Sequence, residues 1–238
     1  MRVERVVDRR SLGESVATAL IGVCRERQLA GAVPCVVLTG GRAGAQALLA
    51  VRDHRDRDTV DWGRVRFLWG DERWVPAGHA DRNDLLADES LFAAVETDAT
   101  LVHRVTASDS GLTLEEAAAE YADVAARVDR IDVVLSGVGE DGHIASLFPG
   151  RSELLQGDDE AAALPVRDSP KPPPERVTLT LPVLNRAVHS WLLAVGEGKA
   201  EALRAVLGRT EPLVPAARLA GRVDTVLWAD DAALHLSA

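Results

Sequence analysis

The residues best suited to do chemistry in this chain fall in one short stretch, Asp132 to Gly150, which reads DVVLSGVGEDGHIASLFPG. Ile131 and Val133 to Leu135 form an apolar, mostly β-branched run bounded by Gly137 and Gly139, the pattern of a buried strand in a parallel sheet. His143 follows in an Asp-Gly-His triplet at the strand's carboxyl end, where open α/β sheets collect their ligands. A histidine titrates near neutrality and can take and return a proton, so the segment predicts a base delivered to a site. Taken alone, it also fits a histidine satisfied in a turn. Asp141 is placed to orient the loop or to cap a short helix beginning there, which Pro149 and Gly150 would end after about two turns. Two other chemistries are excluded here. Ser146 lacks the G-x-S-x-G elbow of a serine esterase. Gly137 to Gly142 matches G-x-G-x-x-G literally, but the long helix and the acidic strand end about 20 residues on, which a dinucleotide site needs, are missing.

Other polar segments lie where elements meet. Thr39-Gly40-Gly41-Arg42-Ala43-Gly44 sits between a strand pattern and a helix pattern. Its glycines either make a tight turn or let backbone amides approach a phosphate at a helix N-terminus. Asp71, Glu72 and Arg73 follow an apolar strand and precede Trp74, a setting that turns at least one charge inward. Prolines stiffen SPKPPPER, from Ser169, in extended form. It reads as a rigid connector with Lys171 in solvent, while Arg176, opening the next strand, is better placed to project inward. Lys199 opens a helix after Gly196 and Gly198, where amides and an ammonium together can hold a phosphate. Of 27 basic residues only Lys171 and Lys199 are lysine. Compositional drift would explain that, but a compact ammonium is also a suitable grip for phosphate.

In this order the segments resemble the 6-phosphogluconolactonase family. The resemblance rests on LTGGRAGAQALL from Leu38, FLWGDERWVPAGHADRND from Phe67, GVGEDGHIASLFPG from Gly137, SPKPPPERVTLTLPVLNRA from Ser169 and GEGKAEALRAVL from Gly196, spanning residues 38 to 207. It implies hydrolysis of 6-phospho-D-glucono-1,5-lactone with His143 activating water, Arg73 polarising the carbonyl and Asp71 orienting groups around it. It further implies substrate contacts from Gly40, Gly41, Arg42, Asn83, Asp141, Lys171, Arg176 and Lys199. Arg176 and Lys199 are the favoured phosphate clamps, with Lys171 third. No metal or cofactor is implied. The chain departs from the family's Gly-Gly-Ser-Thr-Pro at Arg42, Ala43 and Gly44, losing a hydroxyl; Arg42 either replaces that contact or points to solvent. The related glucosamine-6-phosphate deaminases carry a glutamate where this chain has Phe148 and a tyrosine where it has Arg73, so isomerising chemistry fits poorly. A sugar-phosphate sensor without catalysis would need neither His143 nor Arg73.

The elements that must position these residues alternate. Ser11 to about Gln28 reads as a helix with a Ser11/Glu14 capping box, Val33 to Leu38 as a strand, Ala43 to Val51 as a helix, and Val65 to Trp69 as a strand. Thr113 and Glu116 cap a helix running to about Arg127, ahead of the strand that carries the histidine motif. Val177 to Leu181, Trp191 to Val195 and Thr225 to Trp228 are further strands, with a helix from Lys199 to Leu207, and Gly150 to Glu175 reads as a long surface loop. Alternation of this kind predicts a single α/β domain over residues 1–238, doubly wound, with a mainly parallel sheet and helices on both faces.

Composition narrows the partners. With 238 residues and 47% hydrophobic content the chain can bury a substantial core. Its charged N-terminus lacks a signal peptide's apolar region and no stretch approaches a membrane span, which predicts a cytoplasmic protein. A formal charge of -10 argues against nucleic acid and requires a local basic pocket for any anionic substrate. Cys24 and Cys35 have no metal-ligand spacing and read as buried thiols. The sequence is compatible with a monomer or a small homo-oligomer.

Overall fold

The computed structural model describes residues 1–155, 161–208 and 214–234. From the N-terminus run β1 (Arg2–Val6), α1 (Arg9–Leu29), β2 (Cys35–Leu38), α2 (Gly41–Asp53), β3 (Arg66–Trp69), β4 (Asp71–Arg73), α3 (Asn83–Ala87), α4 (Leu114–Ala126) and β5 (Val133–Gly137). There follow β6 (Ala163–Val166), β7 (Arg176–Leu179), α5 (Leu181–Leu184), β8 (His189–Ala194), α6 (Ala200–Gly208), α7 (Pro215–Arg218), β9 (Asp224–Asp230) and α8 (Asp231–Leu234). Six strands form one parallel sheet in the order β1-β9-β8-β5-β2-β3.

Helices cover both faces of that sheet, and this explains why its central strands read as continuous apolar runs. In β2, Val36 and Leu38 pack with Leu12, Val16 and Leu20 of α1 and with Leu48 and Val51 of α2. Cys35 and Val37 belong to the opposite layer, with Leu114, Ala118 and Tyr121 of α4 and Leu203 and Val206 of α6. Both cysteines are buried and unpaired, and desolvation pushes their thiols up to about 12, so neither is a reactive group.

Strand order reverses between β2 and β5: β3 lies on one side of β2, while β5, β8 and β9 build outward on the other. Such a reversal opens a crevice at the strands' carboxyl ends. The glycine turn after β2 and the histidine loop after β5 both leave the sheet at that crevice, and Gly137 N donates to Thr39 Oγ1 across it at 3.3 Å.

Several local expectations need correction. The cap of α1 is Asp8, not Ser11; the Asp8 carboxylate accepts from Ser11 N, and Ser11 Oγ accepts from Asp8 N. Thr113 and Glu116 form the expected reciprocal box on α4. No helix follows His143. Gly142 and Ala145 take φ of 82 and 48, incompatible with an α-helix, and Ile144 bridges Leu147 in a turn. A second sheet, antiparallel in the order β4-β7-β6, arises because the chain swings away from the main sheet at Gly70 and pairs Asp71–Arg73 with β7. Its outer strand β6 lies within the stretch expected to be one long loop.

Candidate active site

Gly137 to His143 leave the end of β5 as a tight loop in which Gly142 N donates to Gly139 O at 3.0 Å and Gly139 N donates to His143 O at 2.8 Å. The loop folds the imidazole back over Gly139. A Cβ on Gly139 would lie 2.0 Å from His143 Nδ1 and 2.6 Å from Asp141 Oδ1, so only glycine leaves room there. Asp141 Oδ1 sits 2.5 Å from His143 Nδ1 and also accepts from His143 N at 3.2 Å. A carboxylate at Nδ1 fixes the proton on that nitrogen and leaves Nε2 as the free lone pair. Phe148 covers the ring, with centroids 4.6 Å apart. Burial lowers the His143 pKa below its ordinary value, with Lys171 pulling the same way and Asp141 opposing.

Facing this loop is the Asp-Glu-Arg segment, whose three charges have three different surroundings. Asp71 is buried; its Oδ2 accepts from Ser146 Oγ at 2.6 Å and lies 3.6 Å from Arg176 Nη1. Ser146 is buried, with its hydroxyl held between Asp71 and Arg176 and in hydrogen-bond contact with no histidine among the described residues, in keeping with its exclusion as a nucleophile. Glu72 turns fully inward and accepts from the backbone N–H groups of Arg73, Asn83 and Asp84 at 2.7, 2.7 and 2.9 Å, so that its carboxylate caps α3. Arg82, also buried, bonds Asp84 through two nitrogens. Arg73 lies between solvent and core. Its Nη1 donates to Asp81 O at 2.6 Å, and its Nε–H is buried without a hydrogen-bond partner.

Asn83 opens α3, and its amide Nδ2 donates to Asp71 O at 2.8 Å. It rests against the glycine turn so closely that a Cβ on Gly40 would fall 1.7 Å from Asn83 Oδ1. Gly41, with φ 74, begins α2, and Arg42 stands exposed in the first turn. Arg176 is buried and its guanidinium holds the proline loop: Nε donates to Pro173 O, and Nη2 to Lys171 O and Pro172 O, at 3.1, 2.9 and 3.1 Å. That anchoring brings Lys171 to the site. Lys199 ends a 3-10 turn beginning at Gly196, whose N–H is held by Asp230 at 3.0 Å. Among the described residues the Lys199 ammonium has no hydrogen bond or ion pair. Burial lowers its pKa, Glu140 opposes, and Lys171 and Arg42 add to the lowering.

One cavity of about 290 Å³ gathers these groups. Gly40, Gly41, Arg42, Asp71, Arg73, Asn83, His143, Lys171, Arg176 and Lys199 all line it, and Asp141 stands behind His143. Its size suits a monosaccharide derivative. Arg9, Arg42, Arg73, Lys171, Arg176 and Lys199 face a single lining carboxylate, Asp71, so an acidic protein carries a strongly basic pocket. Sequence reasoning missed Arg9, which was read only as part of a charged terminus, and Glu72, which no periodicity could separate from its charged neighbours.

A sequence profile for glucosamine-6-phosphate isomerases/6-phosphogluconolactonase matches residues 7–228. The chain belongs to this family. It is 40% identical to the 6-phosphogluconolactonase of Streptomyces coelicolor, over 95% of this chain and 90% of the relative, and 39% identical to that of Mycobacterium tuberculosis, over 91% of each. The 6-phosphogluconolactonase structure from Thermotoga maritima superposes with a TM-score of 0.82 at 26% identity, covering 96% of this chain and 99% of that one. A monomeric glucosamine-6-phosphate deaminase superposes with a TM-score of 0.83 at 17% identity, a likeness of fold alone.

Proposed function

We propose that this enzyme hydrolyses 6-phospho-D-glucono-1,5-lactone to 6-phosphogluconate, a step of the oxidative pentose phosphate pathway. The observation that carries this reading is the His143–Asp141 pair set in a small cavity whose other charged residues are almost all cations. A δ-lactone is an activated ester, so a positioned water and a base suffice and no covalent intermediate is required. His143 Nε2 takes a proton from water as the oxygen attacks C1, and Asp141 stabilises the imidazolium that forms. The carbonyl oxygen gains the negative charge. Arg73, with its unpartnered Nε–H, is the donor suited to that oxygen, a contribution of about 3 kcal/mol if it strengthens in the transition state. When the tetrahedral adduct collapses, the C1 to ring-oxygen bond breaks and the imidazolium returns its proton to the departing oxygen.

Asp71 acts by holding Ser146 and Arg176 in place, and Asn83 and the glycine turn offer polar groups to the sugar. Lys199, Lys171 and Arg42 supply positive charge for the 6-phosphate. A basic cavity in an otherwise acidic molecule supports a small anionic substrate over a nucleic acid, and a cytoplasmic location follows from the metabolic role. Among the described residues no helix is long and apolar enough to cross a membrane. The deciding measurement is the decay of freshly generated 6-phosphogluconolactone with and without purified protein. Decay at the spontaneous rate would overturn the proposal.

A further inference from the structure

Arg9 is the one lining cation that neither the family resemblance nor the motif reading assigns, and its setting is unusual. It occupies the first turn of α1, where the helix dipole disfavours positive charge, in a turn that holds no acidic residue. Its neighbours are committed: Asp8 caps the helix and Arg10 pairs with Glu14 at 2.9 Å. Arg9 itself is half-buried and makes no hydrogen bond or ion pair with any described residue. A cation held against the dipole without a partner, on the wall of a cavity, is placed for something that enters the cavity.

Helix packing relates Arg9 to the start of α2. α1 and α2 each return from the carboxyl end of a parallel strand, so they run side by side in the same direction. They touch so closely at Gly13 that a Cβ there would come 2.8 Å from Gln46 O. One turn back along each helix stand Arg9 and Arg42, in the first turns of the two helices, and both line the cavity. Along the main sheet β1 and β9 lie beyond β8, the strand that leads to Lys199, whereas Arg73 follows β3 at the opposite edge and lies on β4 of the second sheet. Arg9, Arg42 and Lys199 thus line one cavity together with the glycine turn that opens α2.

We propose that Arg9 and Arg42 together form the outer half of the phosphate site, supplying two guanidinium forks where the glycine turn lacks the hydroxyl usual in the family. This deepens the lactonase reading and rests on it for the identity of the substrate. Planar guanidinium forks match phosphate oxygens in pairs, a geometry one ammonium cannot provide.

The test compares Arg9→Gln with Arg10→Gln, which removes the same charge from the same turn but outside the cavity. Arg9→Gln should weaken inorganic phosphate binding, measured by calorimetry, about tenfold and raise KM for the phosphorylated lactone to a similar degree. Unphosphorylated gluconolactone should not distinguish Arg9→Gln from wild type. Arg9→Lys should recover only part of the loss. Arg10→Gln should stay within about twofold of wild type on every measure. Equal behaviour of the two glutamine variants in phosphate binding would overturn the assignment. Because calorimetry needs no turnover, a wild type that binds phosphate yet accelerates no lactone decay would end the lactonase reading and leave the Arg9 test standing.

Discussion

Asp141 Oδ1 lies 2.5 Å from His143 Nδ1, and the two can meet only because residue 139 has no side chain. The carboxylate sets the tautomer, and desolvation sets the direction of titration. Replacing His143 with alanine should lower kcat by about 10² to 10⁴ with the fold intact, after subtraction of background hydrolysis. Wild-type turnover by that variant would refute the assignment of the base.

The pH profile tests the same pair independently. Burial depresses the His143 pKa, so its basic form persists below the ordinary histidine value of about 6.5 and the acid limb of kcat/KM should fall under that pH. Asp141 opposes the depression. Asp141→Asn should therefore shift the limb to still lower pH while lowering the rate through loss of the tautomer, whereas Lys171→Ala should move the limb upward. A limb that rises in Asp141→Asn would contradict the pairing.

Glu72 offers a stability prediction with a definite sign. Burial pushes its carboxyl up from about 4.5 to about 7, against the pull of the Asn83 and Asp84 amides and Arg82. The folded protein then keeps a proton that the unfolded chain releases, so this contribution to stability is full below about 4.5 and declines as pH rises through about 7. Glu72→Gln removes the titration and leaves the Asp84 N–H facing an amide that cannot accept on that side, costing about 1–3 kcal/mol. Thermal midpoints of the two proteins should converge as pH rises from 4.5 to 7. Midpoints that run parallel over that range would show that Glu72 is ionised throughout.

The strands legible in the sequence are β2, β3, β5, β7, β8 and β9; β2, β3, β5 and β8 read as apolar runs because helices cover each side of the main sheet. β1 escaped notice because, as an edge strand, it leaves Arg2, Val3 and Arg5 exposed and shows no apolar run. β4 is only Asp71–Arg73, and its partner lies about a hundred residues on, so no local pattern can announce it. The same limit hid part of the site. Motif residues could be named one at a time, but Arg9 joins them only through the packing of α1 on α2, and Glu72 differs from Asp71 and Arg73 only in where the strand turns it.

Phe148 separates this chain from the isomerising branch of its fold. Its ring lies against His143 and 6.0 Å from the Arg176 guanidinium, filling the place where the deaminase motif carries a carboxylate. Without a second proton carrier beside the histidine, proton transfer between adjacent sugar carbons has no route. Incubation with glucosamine 6-phosphate should release no ammonia above background. Sustained release would reopen the deaminase reading.

Lys199 and Arg176 both line the cavity as cations, yet they should fail differently when truncated. The Lys199 ammonium is unpartnered among the described residues and free for the phosphate, a charge-assisted contact worth about 1.5 to 3 kcal/mol. Lys199→Ala should thus reduce kcat/KM for the phosphorylated lactone by about ten- to a hundredfold and hardly alter slow turnover of unphosphorylated gluconolactone. Arg176 spends most of its donors on Pro173, Lys171 and Pro172 carbonyls and on Ser146, and it is the cation beside buried Asp71. Removing it frees the loop that carries Lys171 and strands a buried carboxylate, so Arg176→Ala should depress activity on both lactones and lower the thermal midpoint. If Arg176→Ala instead discriminates between the lactones as Lys199→Ala does, Arg176 is chiefly a phosphate ligand. If Lys199→Ala depresses both in proportion, the phosphate-clamp assignment of Lys199 is wrong.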